Sequence, residues 1–374
     1  MSRRILVQYF EELEDPRTGN RRRYALTELL VICVCAVLSG AESVTEIAQW
    51  GRVKEGWLRG FLELPHGIAS HDTFGRVLRL LDPKGFEASL RRWVGHVIGA
   101  LADTVVAVDG KTARGSRRAD GSALHLISAY ASAYGLTLGA VAVPNKTNEI
   151  TAIPTLLDSL DVKGAIVSID AIGCQRDIAA KVREKKADYL LALKGNQPHL
   201  QEAVEEFFAE SERVNWQRTP HGYAQTLDKD HGRIETRELW SVADLSWLEH
   251  RGDWSDLAQV LIVRARREIG GKASTETRYY LTSSKANAQR LLEAVRSHWR
   301  IESDLHWSLD VTFGEDDCRV RKDNAATNLA LLRRIVLNLI KLQPKGKLST
   351  RGQIKQAAWD DAFRLRLLNL KPRA

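Results

Sequence analysis

The sequence predicts an α/β protein, and three observations predict it. Up to about residue 98, apolar residues recur at helical intervals. From 104 to 194, short apolar runs alternate with helical stretches in the order strand, strand, strand, helix, strand, helix, strand. From about 214 to 284 the alternation is close to period two, with many β-branched and aromatic residues. A chain of 374 residues exceeds a typical single core, so two or three domains are expected.

The helical segment comes first. LTELLVICVCAVLSG is apolar all round and stops at Gly40. Its longest apolar stretch, 29–38, falls short of the ~20 residues of a membrane span. Arg21, Arg22 and Arg23 precede it, as they would in a signal peptide. However, the mostly polar segment 1–20 lies ahead of them and no small-residue cleavage site stands out, so a buried core helix is expected. SVTEIAQWGRVKEGWLRGFL opens on Ser43 as N-cap, with Glu46 at the capping-box position. HDTFGRVLRLLD and GFEASLRRWVGHVIGAL add two helices divided by Pro83, and the first of them, with Arg76 and Arg79, has helix-turn-helix character. Residues 1–98 are therefore expected to form an all-helical module that contacts DNA or, alternatively, serves dimerisation and packing.

Strands begin near Asp103. TVVAVDGK is the first; LHLISAYAS and LTLGAVAV, joined through Ala133, Tyr134 and Gly135, read as an antiparallel hairpin. ITAIPTLLDSL reads as a helix with Pro154 near its start, where proline is tolerated. AIVSID, QRDIAAKVREKKA and DYLLALKG then give strand, helix, strand. This is the order of a ribonuclease-H-like core: three meandering strands, then parallel strands joined by helical crossovers, with the first and fourth strands side by side. A helix through QEAVEEFF leads into a β-rich insertion, with strands in HGRIETRELWSV, QVLIVRARREI and TETRYYLTS. Helical spacing returns in ANAQRLLEAVRSHWRIESDLHWSLDV and NLALLRRIVLNLIKL. The expected boundaries are 1–98, 99–342 with the insertion at about 214–284, and a basic, exposed tail at 343–374.

Composition narrows the class. Apolar residues make up 44% and charged residues 27%, as in ordinary soluble proteins. The formal net charge of +8 and a pI near 9.3 favour a polyanionic partner. Cys33, Cys35, Cys174 and Cys318 form no CxxC pair and no cysteine/histidine metal spacing, which fits reduced, buried thiols in a cytoplasmic protein.

Three carboxylates stand out. Asp109 closes the apolar run TVVAVD and Asp170 closes AIVSID. Apolar surroundings penalise a carboxylate unless a cation or donor compensates. Glu302 lies in HWRIESDLHWSLD, where a four-residue step lines up His298, Glu302, His306 and Asp310 beside the apolar row Ile301, Leu305, Leu309. Asp310, Glu315, Asp316 and Asp317 are rival acidic candidates. His298 and His306 lack a third nitrogen or sulfur ligand for zinc. Two strand-end aspartates and a helical glutamate suit a pair of Mg²⁺ ions, with Mn²⁺ as a substitute, in phosphodiester chemistry. For DNA contact the candidates are Lys111 after Asp109, Lys194 and Asn196 in KGNQ, Arg233 in HGR, and Arg296 and Arg300 flanking Glu302. For KGNQ and HGR a plain turn is the competing reading.

The motifs DGKTARGS, NKTNEI, SIDAIGCQ, ADYLLALKGNQ, HGRIETR, HWRIES and LDVTFGEDDCRVRKDNAATNLALLRR resemble the ISAs1 group of bacterial insertion-sequence transposases, which includes the H-repeat-associated proteins and is similar to the wider IS4-type DDE transposases. The resemblance runs from about residue 5 to 345. It implies a DDE triad of Asp109, Asp170 and Glu302. Of the IS4 signature around the glutamate only Glu302 remains, because Val295, His298 and Leu309 stand at its tyrosine, arginine and lysine positions.

The resemblance further implies a cytoplasmic, nucleoid-associated enzyme that binds double-stranded DNA at terminal inverted repeats and target sites, as a homo-oligomer and without membrane contact. Two metal ions would serve cleavage and strand transfer. The alternatives are a ribonuclease-H-like nuclease without strand transfer and an inactive DNA-binding remnant.

Overall fold

The computed structural model describes residues 6–143, 149–230, 232–344, 346 and 348–369. In chain order its elements are α1 (Leu6–Phe10), α2 (Leu26–Leu38), α3 (Val44–Val53), α4 (Glu55–Leu58), α5 (His71–Leu80), α6 (Pro83–Ile98), β1 (Val105–Ala113), β2 (Leu124–Ala131), β3 (Leu136–Val143), α7 (Glu149–Asp158), β4 (Ile166–Ile169), α8 (Arg176–Glu184), β5 (Asp188–Leu193) and α9 (Pro198–Arg213). There follow β6 (Gly222–Asp230), β7 (Arg233–Val242), β8 (Gln259–Ile269), β9 (Lys272–Thr282), α10 (Ala288–His298), α11 (Ala325–Lys341), α12 (Thr350–Trp359) and α13 (Asp361–Leu368). The run from β1 through β5 is the element order of a ribonuclease-H-like core, so the expected fold class holds.

The chain folds as two compact units. The first gathers Met1–Gly99, Gly110–Asn148 and Glu302–Ala374; the second gathers Ala100–Asp109 and Glu149–Ile301.

In the first unit, α2 explains the grouping. Eleven of its thirteen residues are buried, so it needs neighbours on every side. It packs against α1, α3, α5, α11 and α12. The leading helices therefore share one core with α11 and the β2–β3 hairpin. Two buried asparagines on α11 fix the arrangement. Asn338 accepts from Thr137 N (2.9 Å) and donates to Thr137 O (2.8 Å), while Asn328 donates to Leu78 O and Leu81 O (2.8 and 2.9 Å). Ser43 caps α3 by accepting from Glu46 N, as expected, but the helix ends at Val53 and α4 is a separate turn. Pro83 is the first residue of α6, whose N-cap Asp82 accepts from Gly85 N at 2.9 Å.

The basic tail is not an exposed appendage. α12 and α13 bury Ile354, Ala357, Leu367 and Leu368. Arg364, fully buried, ion-pairs with Asp361 and sits over the rings of Trp57 (4.3 Å) and Trp50 (5.1 Å). Here aromatic faces and one carboxylate replace water around a cation. Lys345, Lys347, Lys371 and Arg373 lie outside the described residues.

In the second unit the strand order is β1-β4-β5-β9-β8-β7-β6. β1, β4 and β5 are parallel, linked through α7 and α8, and every later pair is antiparallel. The β-rich insertion thus extends the sheet by adding β9 along β5. Thr282 Oγ1 donates to Tyr189 O (2.6 Å) and Ser283 Oγ accepts from Tyr189 N (3.0 Å) at that joint. A fourth insertion strand, β6, was not expected; its polar sequence, GYAQTLDKD, belongs to the sheet edge. Pro154 falls within α7 rather than in its first turn, so the helix forgoes one backbone hydrogen bond there.

Cys33, Cys35 and Cys174 are buried free thiols, and burial pushes Cys35 and Cys174 up to about 12. Cys318, also free, is only half-buried, a departure from the expected burial. No helix among the described residues is long and apolar enough to cross a membrane.

Candidate active site

Asp109 and Asp170 stand on neighbouring strands of the second unit. Val105–Val108 of β1 pairs in parallel with Ile166–Ile169 of β4, ending on Val108↔Ile169. Asp109 is the next residue of β1, and Asp170 directly follows the end of β4. Parallel neighbours lie about 4.8 Å apart, so the register sets the two carboxylate-bearing positions side by side. Both residues are half-buried, above runs whose residues are fully buried. β1 does not end at Asp109, as the apolar run suggested, but continues to Ala113.

The turn after Asp170 is built to stay still. Ala171–Gly173 form a 3₁₀ turn. A Cβ on Gly173 would collide with Cγ2 of Ile169, so only glycine lets the turn fold back on the strand. Asn196 donates from Nδ2 to Ala171 O and to Cys174 O (3.3 Å), and Gln197 donates from Nε2 to Cys174 O (3.1 Å). KGNQ therefore clamps the Asp170 turn. Lys194, beside it, is exposed.

Glu302 lies in the first unit, in a helical stretch of unexpected geometry. Ile301–His306 and Ser308–Thr312 are π-helical rather than α-helical. Such wide turns recur at functional sites. Ile301, Leu305 and Leu309 are buried as the apolar row predicted. Glu302 is exposed, with Oε2 3.2 Å from Nδ1 of buried His306.

Three of the four rival carboxylates are committed elsewhere, and the fourth, Asp317, is exposed. Lys111, 6% exposed, pairs with Asp310 (2.6 Å), Asp316 (3.0 Å) and Glu315 (3.9 Å). Glu315 also pairs with Arg334 (3.0 Å), and both are buried. The lysine expected to meet a phosphate is thus held inside an ionic cluster of its own unit. Sequence reasoning missed this cluster; its trace was Arg333 and Arg334 within the apolar run of α11, because buried arginines call for buried carboxylates. Val295 and Leu309, at the tyrosine and lysine positions of the IS4 signature, are buried apolar residues.

Of the remaining cationic candidates, Arg296 pairs with Asp228 (2.8 Å) and exposed Arg233 with Glu235 (3.3 Å). Arg300, half-buried, lines a shallow depression with Glu293, Arg296 and Ser297. His231, which opens the HGR motif, lies outside the described residues.

Comparison with known proteins supplies the family. Residues 100–339 match the family described as Transposase DDE domain, and residues 7–94 match the family described as DDE_Tnp_1-associated. The chain is 45% identical, over 75% of its length and 94% of the relative, to an uncharacterized protein in the dhlA 3′ region of Xanthobacter autotrophicus. It is 34% identical, over 96% of both chains, to the H repeat-associated putative transposase YhhI of Escherichia coli. A looser likeness, with a TM-score of 0.42 at 12% identity over 97% of this chain and 76% of the other, links it to a piggyBac transposase synaptic complex with hairpin DNA. By the extent of the family match, this chain belongs to the DDE transposases, alongside the H-repeat-associated proteins.

Proposed function

We propose that the protein cuts the ends of an insertion sequence and joins the freed 3′-OH to target DNA, with Asp109, Asp170 and Glu302 as its catalytic triad. The observation that carries this reading is the register of β1 and β4, which sets Asp109 beside Asp170. Oxygen donors at fixed neighbouring positions suit hard cations such as Mg²⁺, with Mn²⁺ as a substitute. Bound there, two such ions would polarise the scissile phosphate and lower the pKa of the attacking hydroxyl. The side chains have separate tasks. Asp109 and Asp170 supply negative charge from a rigid sheet, and the Asn196 clamp keeps the second of them oriented. Glu302 adds the third carboxylate, and His306 fixes its orientation through the 3.2 Å contact. Lys194 and Arg300 are assigned to DNA phosphates, and the working form on DNA is a homo-oligomer.

The test compares Asp109→Asn, Asp170→Asn and Glu302→Gln with the unsubstituted chain. The substrate is a plasmid carrying the inverted repeats that flank the gene. Each variant should lose cleavage in Mg²⁺ by several orders of magnitude, as expected when a metal-held transition state loses a ligand. Gel shifts in Ca²⁺ should persist. Robust cleavage by Glu302→Gln, with loss in Asp310→Asn, would move the third ligand and overturn the assignment.

A further inference from the structure

Two segments outside the proposed triad, 112–118 (TARGSRR) and 318–322 (CRVRK), fold against each other in the first unit. Gly115 permits it: a Cβ there would stand 2.5 Å from Asp316 O and 2.7 Å from Cys318 O, both backbone atoms that cannot yield. The segments are then stitched together. Arg321 donates from Nε and Nη2 to Gly115 O (3.2 and 3.1 Å), Arg118 donates to Arg321 O (3.3 Å), and Arg114 N donates to Asp316 Oδ1 (3.1 Å).

The outcome is a ledge of six exposed cations: Arg114, Arg117, Arg118, Arg319, Arg321 and Lys322. Nearby carboxylates offset part of this charge, at Arg114 and Arg118, and leave Arg117, Arg319, Arg321 and Lys322 in excess. Asp316 is shared between Lys111 (3.0 Å) and Arg114 (3.4 Å), Asp323 pairs with Arg79 (2.8 Å), and Asp120, which accepts from Ser122 N and Oγ (2.9 and 2.6 Å), lies close enough to Arg118 to be acidified by it. A cavity of about 290 Å³ opens beside the ledge, with Arg118, Arg321 and Asp323 among its polar lining and Leu124 and Val143 on its apolar side. Ser116 Oγ, Ser122 Oγ and Asn324 Nδ2 donate to Ala113 O, Asp120 Oδ1 and Leu81 O, so the groups that face a phosphate are the guanidinium edges of Arg118 and Arg321 not used in the stitching. Cations this close repel one another, and a polyanion relieves that repulsion.

We propose that this ledge binds the sugar–phosphate backbone of duplex DNA. The proposal rests on the transposase reading and adds a contact surface to it.

Arg117, Arg319 and Lys322 can be changed without touching the hydrogen bonds that hold the ledge. In the full chain, Arg117→Gln/Arg319→Gln/Lys322→Gln is compared with the unsubstituted protein for binding to a random-sequence duplex across a salt series. Each lost phosphate contact should reduce the log–log salt slope by about 0.9, so the triple variant should be shallower by roughly 2.7. Its thermal unfolding should be unchanged. The control Lys84→Gln/Lys163→Gln/Lys285→Gln removes the same charge from exposed sites elsewhere and should keep the original slope. An unchanged slope in the ledge variant, or an equal fall in the control, overturns the ledge while leaving the function intact. No DNA binding by the unsubstituted chain at low salt overturns the function and the ledge together.

Discussion

Lys111 separates two roles that the sequence alone could not, because a phosphate contact and an internal anchor leave different traces. Consider Lys111→Met, which keeps the stem and removes the charge. In the folded chain the ammonium faces Asp310, Asp316 and Glu315 at 2.6, 3.0 and 3.9 Å. Glu315 keeps Arg334, but Asp310 and Asp316 lose their close cation. Breaking a fully buried pair costs about 3–5 kcal/mol. The side chains of Asp310 and Asp316 are 36% and 26% exposed, so water recovers part of the loss and about 2–3 kcal/mol remains. At roughly 2 °C per kcal/mol for a long chain, Tm should fall by about 4–6 °C. The assay is thermal unfolding by near-UV circular dichroism, paired with DNA binding over a salt series. The salt slope should not change. An unchanged Tm with a slope shallower by about 0.9, the signature of one lost phosphate contact, would refute the anchor and restore the phosphate role.

Three further outcomes follow from the packing. Gly173→Ala should destabilise the protein by about 1–3 kcal/mol, since the added Cβ meets Ile169 and the Asp170 turn must shift; cleavage should fall with it, and a variant as stable and active as the original would contradict the tight turn. Burial raises the Glu87 carboxyl above its ordinary 4.5, with Arg91 pulling it partly back. Stability linked to Glu87 is therefore full below about pH 4.5 and is lost as pH rises through the raised value. The Tm advantage of Glu87→Gln should accordingly be larger at neutral pH than at pH 4, and a flat difference would remove Glu87 from the account. Deleting residues 1–98 should leave the first unit unfolded, because α2 and α5 supply the core around α11; well-dispersed amide resonances from residues 110–143 in the truncated chain would show otherwise.

The order of strands and helices from 104 to 194 was legible because each strand is a short run of buried aliphatics bounded by turn residues. That order also gave the parallel neighbours β1 and β4. Glu302 was placed correctly beside an apolar row, but two turns of sequence cannot tell a 3.6-residue period from a wider π-helical one. The partners of Lys111 lie some two hundred residues away in the chain, and no local pattern announces them. The tail misled through composition. Its arginines suggested solvent, whereas Arg364 is buried between tryptophans from α3 and α4. β6 escaped notice because an edge strand with polar residues at most positions lacks the apolar alternation that marks a strand.

The make-up of the first unit also dictates when it can be completed during synthesis. All but ten residues of the second unit form one continuous stretch, Glu149–Ile301, which can assemble once it has left the ribosome. The first unit must wait: Thr137 has no Asn338, Glu315 has no Arg334, and Trp57 has no Arg364 until the last part of the chain emerges. Until then the part of α2 that packs against α11 and α12 stands uncovered, a target for chaperones. A gene copy truncated soon after codon 301 would yield a finished second unit tethered to leading helices that cannot close their core.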